Sequence, residues 1–146
     1  MDLKQILKAW EADGKIGNDL TESSRITPTL HAKYLSLLAD AKLQLKRSEF
    51  KQKELLKQKW LYYNGKMSKE EIDEQGWDYD PFNGLKVLKG EMDYYYDSDP
   101  EIQKSEEKIQ YWKTVIDTLS EIVNSVNWRH QTISNIIKWK NFESGN

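Results

Sequence analysis

The sequence predicts an all-α protein that assembles with copies of itself, and three observations carry that expectation. Residues 29–64 and 101–144 contain neither Gly nor Pro. Within both stretches apolar side chains recur at steps of three and four, the period of one helix face. Hydrophobic residues make up 38% of the chain against 32% charged, less than a typical domain has to bury, so neighbouring subunits are expected to complete the core. At 146 residues the chain fits a single domain, and six Trp with eight Tyr argue against disorder.

The elements follow in order. Residues 1–26 read as a short amphipathic helix and a linker. Leu3, Ile6, Leu7 and Trp10 form one stripe, Asp13-Gly14 ends it, and residues 18–26 are polar. Thr27-Pro28 then supplies a cap and a first-turn proline for a long basic helix over residues 27–64, with Leu30, Tyr34, Leu37, Leu38, Ala41 and Leu45 on its apolar face. Asn64-Gly65 stops it. Residues 65–98 form an acidic, aromatic excursion: a short helix opened by Ser68-Lys-Glu-Glu71 and stopped by Gly76, then irregular chain in which residues 85–96 read as a strand. Ser98-Asp99-Pro100-Glu101 opens the last helix, expected over residues 99–142.

That last helix carries a heptad seam. Ile102, Ile109, Trp112, Ile116 and Leu119 fall on alternating steps of three and four, continued by Val123, Val126, Ile133 and Ile137, with Ser105 and His130 as the polar exceptions. The positions from Ile109 onward are the expected oligomerisation residues. Val115, Ile122 and Ile136 widen the stripe beyond what one partner helix covers. His130, inside the seam, reads as a buried register-setting residue.

The net charge of −2 conceals strong segregation. Residues 42–69 carry nine basic and two acidic side chains, whereas residues 70–107 carry three basic and thirteen acidic. In the basic block Lys42, Lys46, Lys53 and Lys57 share one helix face, and Lys59, Trp60, Tyr62, Tyr63 and Lys66 follow. Cations track a phosphate backbone and aromatic rings stack on any base, the combination that holds single strands without strong sequence preference. The plainer alternative is a solvated helix face whose lysines complement the helix dipole, with the rings in the core.

The acidic block suits a solvated face, a docking surface for a DNA-binding protein, or electrostatic pairing between subunits. Asp78, Asp80, Asp93, Asp97 and Asp99 offer oxygen ligands but lack the spacing of a calcium loop, and no metal or other cofactor is expected. There is no Cys, hence no thiolate site or disulfide, and His31 and His130 have no ligand-spaced partner. Phosphate-loop, dinucleotide, nucleophile-elbow and zinc-protease motifs are absent, so an enzyme is not expected. No apolar run reaches membrane-spanning length and the N-terminus lacks a signal-peptide core, which points to the cytoplasm.

Leu56-Lys-Gln-Lys59 followed by Tyr62-Tyr63-Asn-Gly65, then Ile109-Gln-Tyr-Trp112, then Phe142-Glu-Ser-Gly145 bring a family into view. In these motifs, and in length and helix order, the chain resembles the UvsY-type recombination mediator proteins of T4-like phages. The resemblance implies a protein that binds single-stranded DNA, contacts the phage single-strand-binding protein and the phage recombinase, and helps the second displace the first. It further implies a closed ring or barrel of six or seven helical subunits joined through the C-terminal region, working in the cytoplasm of the infected host cell. Lys57 and Lys59 occupy the two basic positions of the family's DNA-binding motif, with Lys where Arg is expected at the second. The expectation from sequence is therefore a recombination mediator. The alternatives are a coiled-coil assembly protein that ignores DNA and, further off, a metal-dependent nuclease using the Asp78 to Asp99 carboxylates.

Overall fold

The structure, a computed structural model, describes residues 1–145. Among these, seven α-helices follow one another: α1 (Leu3–Asp13), α2 (Leu20–Arg25), α3 (Thr27–Tyr63), α4 (Lys69–Gln75), α5 (Met92–Asp97), α6 (Pro100–Asn127) and α7 (Arg129–Glu143). No strand occurs among the described residues, and no helix is long and apolar enough to cross a membrane. The chain divides into two compact units. One comprises Met1–Leu43 with the chain from Trp112 onward, the other Gln44–Tyr111, and α3 and α6 contribute residues to both.

In the first unit α1 opens with a reciprocal cap. The Asp2 carboxylate accepts from the Gln5 backbone N–H at 2.8 Å, and the Gln5 side chain accepts from the Asp2 N–H at 2.9 Å. The helix buries Ile6, with Leu3 and Trp10 packed beside it, against Leu30, Tyr34, Leu38 and Ala41 of α3 and Val115, Leu119, Ile122 and Val126 of α6. Tyr34 is fully buried at the centre of this core. Its hydroxyl donates to Asp13 Oδ2 at 2.8 Å, an oxygen that Lys33 Nζ also reaches at 2.6 Å. The Lys33 hydrogen bond, joined by that of Tyr34, holds Asp13 below the usual carboxylate range despite its partial burial, while burial and Asp13 push the Tyr34 phenol well up.

Three expectations are corrected in this unit. Residues 18–26 are not a linker: the Asp19 carboxylate accepts from the Glu22 N–H at 3.1 Å and opens α2. Its polar composition hid it, because the residue it buries is Ser23, whose hydroxyl accepts from the Gly17 N–H at 3.2 Å. Nor does the last helix run unbroken to residue 142. It stops at Asn127, and α7 restarts at Arg129 without any Gly or Pro to mark the break. Arg129 is buried, and its guanidinium donates to the carbonyls of Ser23 (3.3 Å), Gly14 (3.1 Å) and Lys15 (3.3 Å), satisfying acceptors that the short helices leave open. His130 is exposed rather than buried in the seam, with Nδ1 2.9 Å from the Asn127 carbonyl.

In the second unit the end of α3 is wrapped by the acidic excursion. Tyr62, Tyr63 and Met67 are buried, and Trp77, Phe82, Tyr95 and Tyr96 pack around them. Gly65 ends α3 in the left-handed conformation (φ 67°). The Lys66 N–H reaches back to the Leu61 carbonyl at 2.8 Å and the Gly65 N–H to Tyr62 at 3.2 Å. The Ser68 hydroxyl caps α4 by accepting from the Glu71 N–H at 3.2 Å. The strand expected over residues 85–96 is instead irregular chain, a single 3-10 turn (Lys89–Glu91) and α5. Clustered aromatic side chains suggested a strand, but here Tyr95 and Tyr96 fold onto Tyr63, with ring centroids 6.2 and 5.3 Å away, instead of pairing with a second strand.

Candidate nucleic-acid interface

Residues 53–66, singled out in the sequence, separate into a buried and an exposed set. Lys57 and Lys59, two positions apart on a helix, point roughly 200° away from each other. Lys57 faces solvent, whereas Lys59 is 4% exposed. The Lys59 ammonium lies 3.0 Å from Asp99 Oδ2 and 3.4 Å from Glu101 Oε1, with the Trp77 ring centroid 3.8 Å away. Tyr63 donates to the same Asp99 oxygen at 2.6 Å, and Tyr62 donates to the Asp78 carbonyl, also at 2.6 Å. The expectation of Lys59, Tyr62 and Tyr63 as open DNA contacts is therefore corrected. All three are engaged in the packing that closes the end of α3.

Asp99 organises this cluster. Its Oδ1 accepts from the Glu101 and Ile102 backbone N–H groups at 2.9 and 3.1 Å, capping α6, while Oδ2 takes Lys59 and Tyr63. Burial alone would raise the Asp99 carboxyl. The hydrogen bonds from Tyr63, Lys59 and Ile102 outweigh it and hold the group below its ordinary value. Burial, followed by Asp99, pushes the Tyr63 phenol well up. The other carboxylates of the excursion are dispersed: Asp73 accepts from the Tyr79 hydroxyl, and Asp80 accepts from the Phe82 N–H. Among the described residues no group of three or more His, Cys, Asp or Glu side chains is placed to hold a metal ion.

The outward face of α3 is different in character. Lys46, Phe50, Lys53, Lys57 and Trp60 follow one another at separations of four, three, four and three residues, so they share roughly a quarter of the helix circumference. All five are exposed. The ammonium groups of Lys46 and Lys53 lie 5.1 and 5.8 Å from the Phe50 ring centroid, and that of Lys66 lies 4.4 Å from the Trp60 centroid. Lys53, Lys57, Trp60 and Lys66 were legible as candidates, but Phe50 was passed over. Its signal is the same three-and-four spacing, at a position ten residues before the Trp60 to Tyr63 aromatic cluster.

The expected oligomerisation residues also divide. Leu119, Val126 and Ile133 are buried inside the first unit, and Trp112, Ile116 and Val123 are partly buried against its core. Ile109 is buried in the second unit. This corrects the view that the whole seam faces neighbouring subunits, because most of it packs against the chain's own helices. Ile137, Trp139 and Phe142 remain exposed on α7, and the Trp139 and Phe142 rings meet edge-on at 5.7 Å.

A family model described as "Recombination, repair and ssDNA binding protein UvsY" matches residues 9–146. The recombination protein uvsY of Enterobacteria phage T4 is 27% identical over 116 residues, covering 80% of this chain and 77% of that protein. Crystal structures of the bacteriophage T4 recombination mediator protein UvsY share the fold. Lattice type II superposes with a TM-score of 0.79 at 23% identity, covering 99% of this chain and 98% of that one. Lattice type IV gives 0.78 at 22% identity, covering 98% and 99%.

Proposed function

The chain belongs to the UvsY family of recombination, repair and single-stranded-DNA-binding proteins, and from that premise we propose that it is a phage recombination mediator. In this reading it binds single-stranded DNA on the outward face of α3 and helps load the phage recombinase onto DNA covered by the phage single-strand-binding protein, in the cytoplasm of the infected host cell. The observation that carries the reading is the exposed row of Lys46, Lys53 and Lys57 leading to Trp60 and Lys66. These side chains offer several phosphate contacts per subunit and a ring for a base.

Each subunit's grip on DNA is modest, and copies of the chain joined in a six- or seven-membered assembly multiply it. Linked engagement raises avidity by ~10²–10⁴ without strong individual sites. A protein of net charge −2 holds DNA in this way because the phosphates meet a locally basic face. Mediation then follows from differential affinity: the assembly favours the strand conformation that the recombinase accepts over the one held by the single-strand-binding protein. No chemical step is required of the chain.

The test is fluorescence anisotropy of a labelled single-stranded oligonucleotide at two salt concentrations, with the native mass recorded. Log affinity should fall with log salt by ~0.7 per phosphate neutralised. Salt-independent or absent binding by an intact oligomer would favour a coiled-coil assembly protein instead.

A further inference from the structure

A single exposed phenylalanine is unremarkable on a protein surface, but Phe50 is set apart by its neighbours. It is 53% exposed in the middle of the outward stripe of α3, with the ammonium groups of Lys46 and Lys53 on either side of it in sequence, 5.1 and 5.8 Å from its centroid. The same motif recurs ten residues on, where Trp60 is 46% exposed with Lys66 at 4.4 Å. We propose that Phe50 is a base-stacking residue, and that Phe50 and Trp60 are two platforms of one single-stranded DNA subsite, with Lys46, Lys53 and Lys57 on the phosphates between them. The proposal rests on the DNA-binding reading above and adds a stacking platform between Lys46 and Lys53.

Geometry sets the length of the subsite. Ten residues of helix separate the rings by about 15 Å along the axis. At the ~3.4 Å per nucleotide of a stacked strand that distance takes about four nucleotides, and fewer if the strand is extended. Because every base has a π-face, both platforms accept any sequence. The choice of DNA over a protein partner comes from charge: the five stripe positions carry three lysines and no carboxylate. A second copy's stripe would repel this one, whereas phosphates match it.

The experiment uses the full chain, a labelled oligothymidylate and anisotropy at two salt concentrations, with native mass and thermal melting as controls. Phe50→Ala should weaken binding roughly 5- to 150-fold, the scale of one lost base stack, with the salt slope, mass and melting temperature unchanged. Phe50→Tyr, which keeps a π-face, should bind like the parent, and Phe50→Leu should bind like the alanine variant. Unchanged affinity in Phe50→Ala, or full affinity in Phe50→Leu, overturns the stacking role. If Lys57→Ala still reduces the salt slope in that case, the DNA-binding reading stands without it. A changed native mass in Phe50→Ala would make Phe50 a protein contact and overturn the proposal. Absence of salt-dependent binding by the parent protein sinks both readings.

Discussion

Lys59 and Asp99, forty residues apart in the chain, meet at 3.0 Å with side chains only 4% and 2% exposed. The aspartate is also the cap of α6, so one ion pair ties the end of α3 to the start of α6. A buried pair of this kind is strongly destabilised when one partner is removed, by ~3–5 kcal/mol, because the survivor is left uncompensated. Lys59→Ala and Asp99→Asn should therefore each lower the melting temperature by many degrees. Lys59→Met with Asp99→Asn should recover part of the loss, since both charges go together. Equal melting temperatures for the parent and Lys59→Ala would refute this structural role.

Lys57 should behave in the opposite way. It is exposed and makes no ion pair among those observed, so Lys57→Ala should change stability by less than ~0.5 kcal/mol. The same change should weaken single-stranded DNA binding at every sequence and flatten the salt slope by up to ~0.7. Measured side by side, the two lysines separate a DNA defect from a folding defect.

Acid should reach the Asp99 cluster selectively. The carboxyl is held below its ordinary value in the folded state. It therefore contributes stability fully above about pH 4, the unfolded value, and loses that contribution as pH falls through the lower folded value. The melting-temperature gap between the parent and Asp99→Asn should be wide at neutral pH and narrow toward pH 2. Alkali acts on Tyr63 with the opposite sign. Its phenol is raised, so its stabilisation is complete below about pH 10 and is lost as pH climbs through the folded value. Tyr63→Phe should remove that alkaline loss in a melting series.

Assembly variants need to be chosen by burial. Leu119 is fully buried in the first unit, so Leu119→Asp should unfold the chain, visible as lost helical circular dichroism, rather than merely dissociate an oligomer. Trp139 and Phe142 are 64% and 73% exposed on α7. Trp139→Asp with Phe142→Asp should leave the helical signal intact and lower the native mass. An unchanged mass would place the subunit contacts elsewhere.

The starts of three side-chain-capped helices are legible in the sequence, whereas α2, capped by Asp19, is hidden by its polar composition. Asp2, Ser68 and Asp99 mark the starts of α1, α4 and α6, because a cap is a local hydrogen bond encoded within four residues. The break between α6 and α7 was not legible. At the break Arg129 reaches carbonyls more than a hundred residues earlier, a contact that no local pattern records. The same reasoning applies to the candidate interface. Helical spacing was sufficient to put Lys57 and Lys59 on opposite sides of α3. Which side is covered depends on Trp77 and Asp99, brought in by the excursion.

The Arg129 guanidinium also bears on how the two ends of the chain are dissected. It lies at the first residue of α7, yet the groups it satisfies belong to the connection between α1 and α2 and to α2 itself. Deleting α7 to strip away a C-terminal surface thus removes the clasp on the N-terminal segment as well. Any activity lost in such a truncation has two candidate owners, and only a point substitution outside Arg129 can tell them apart.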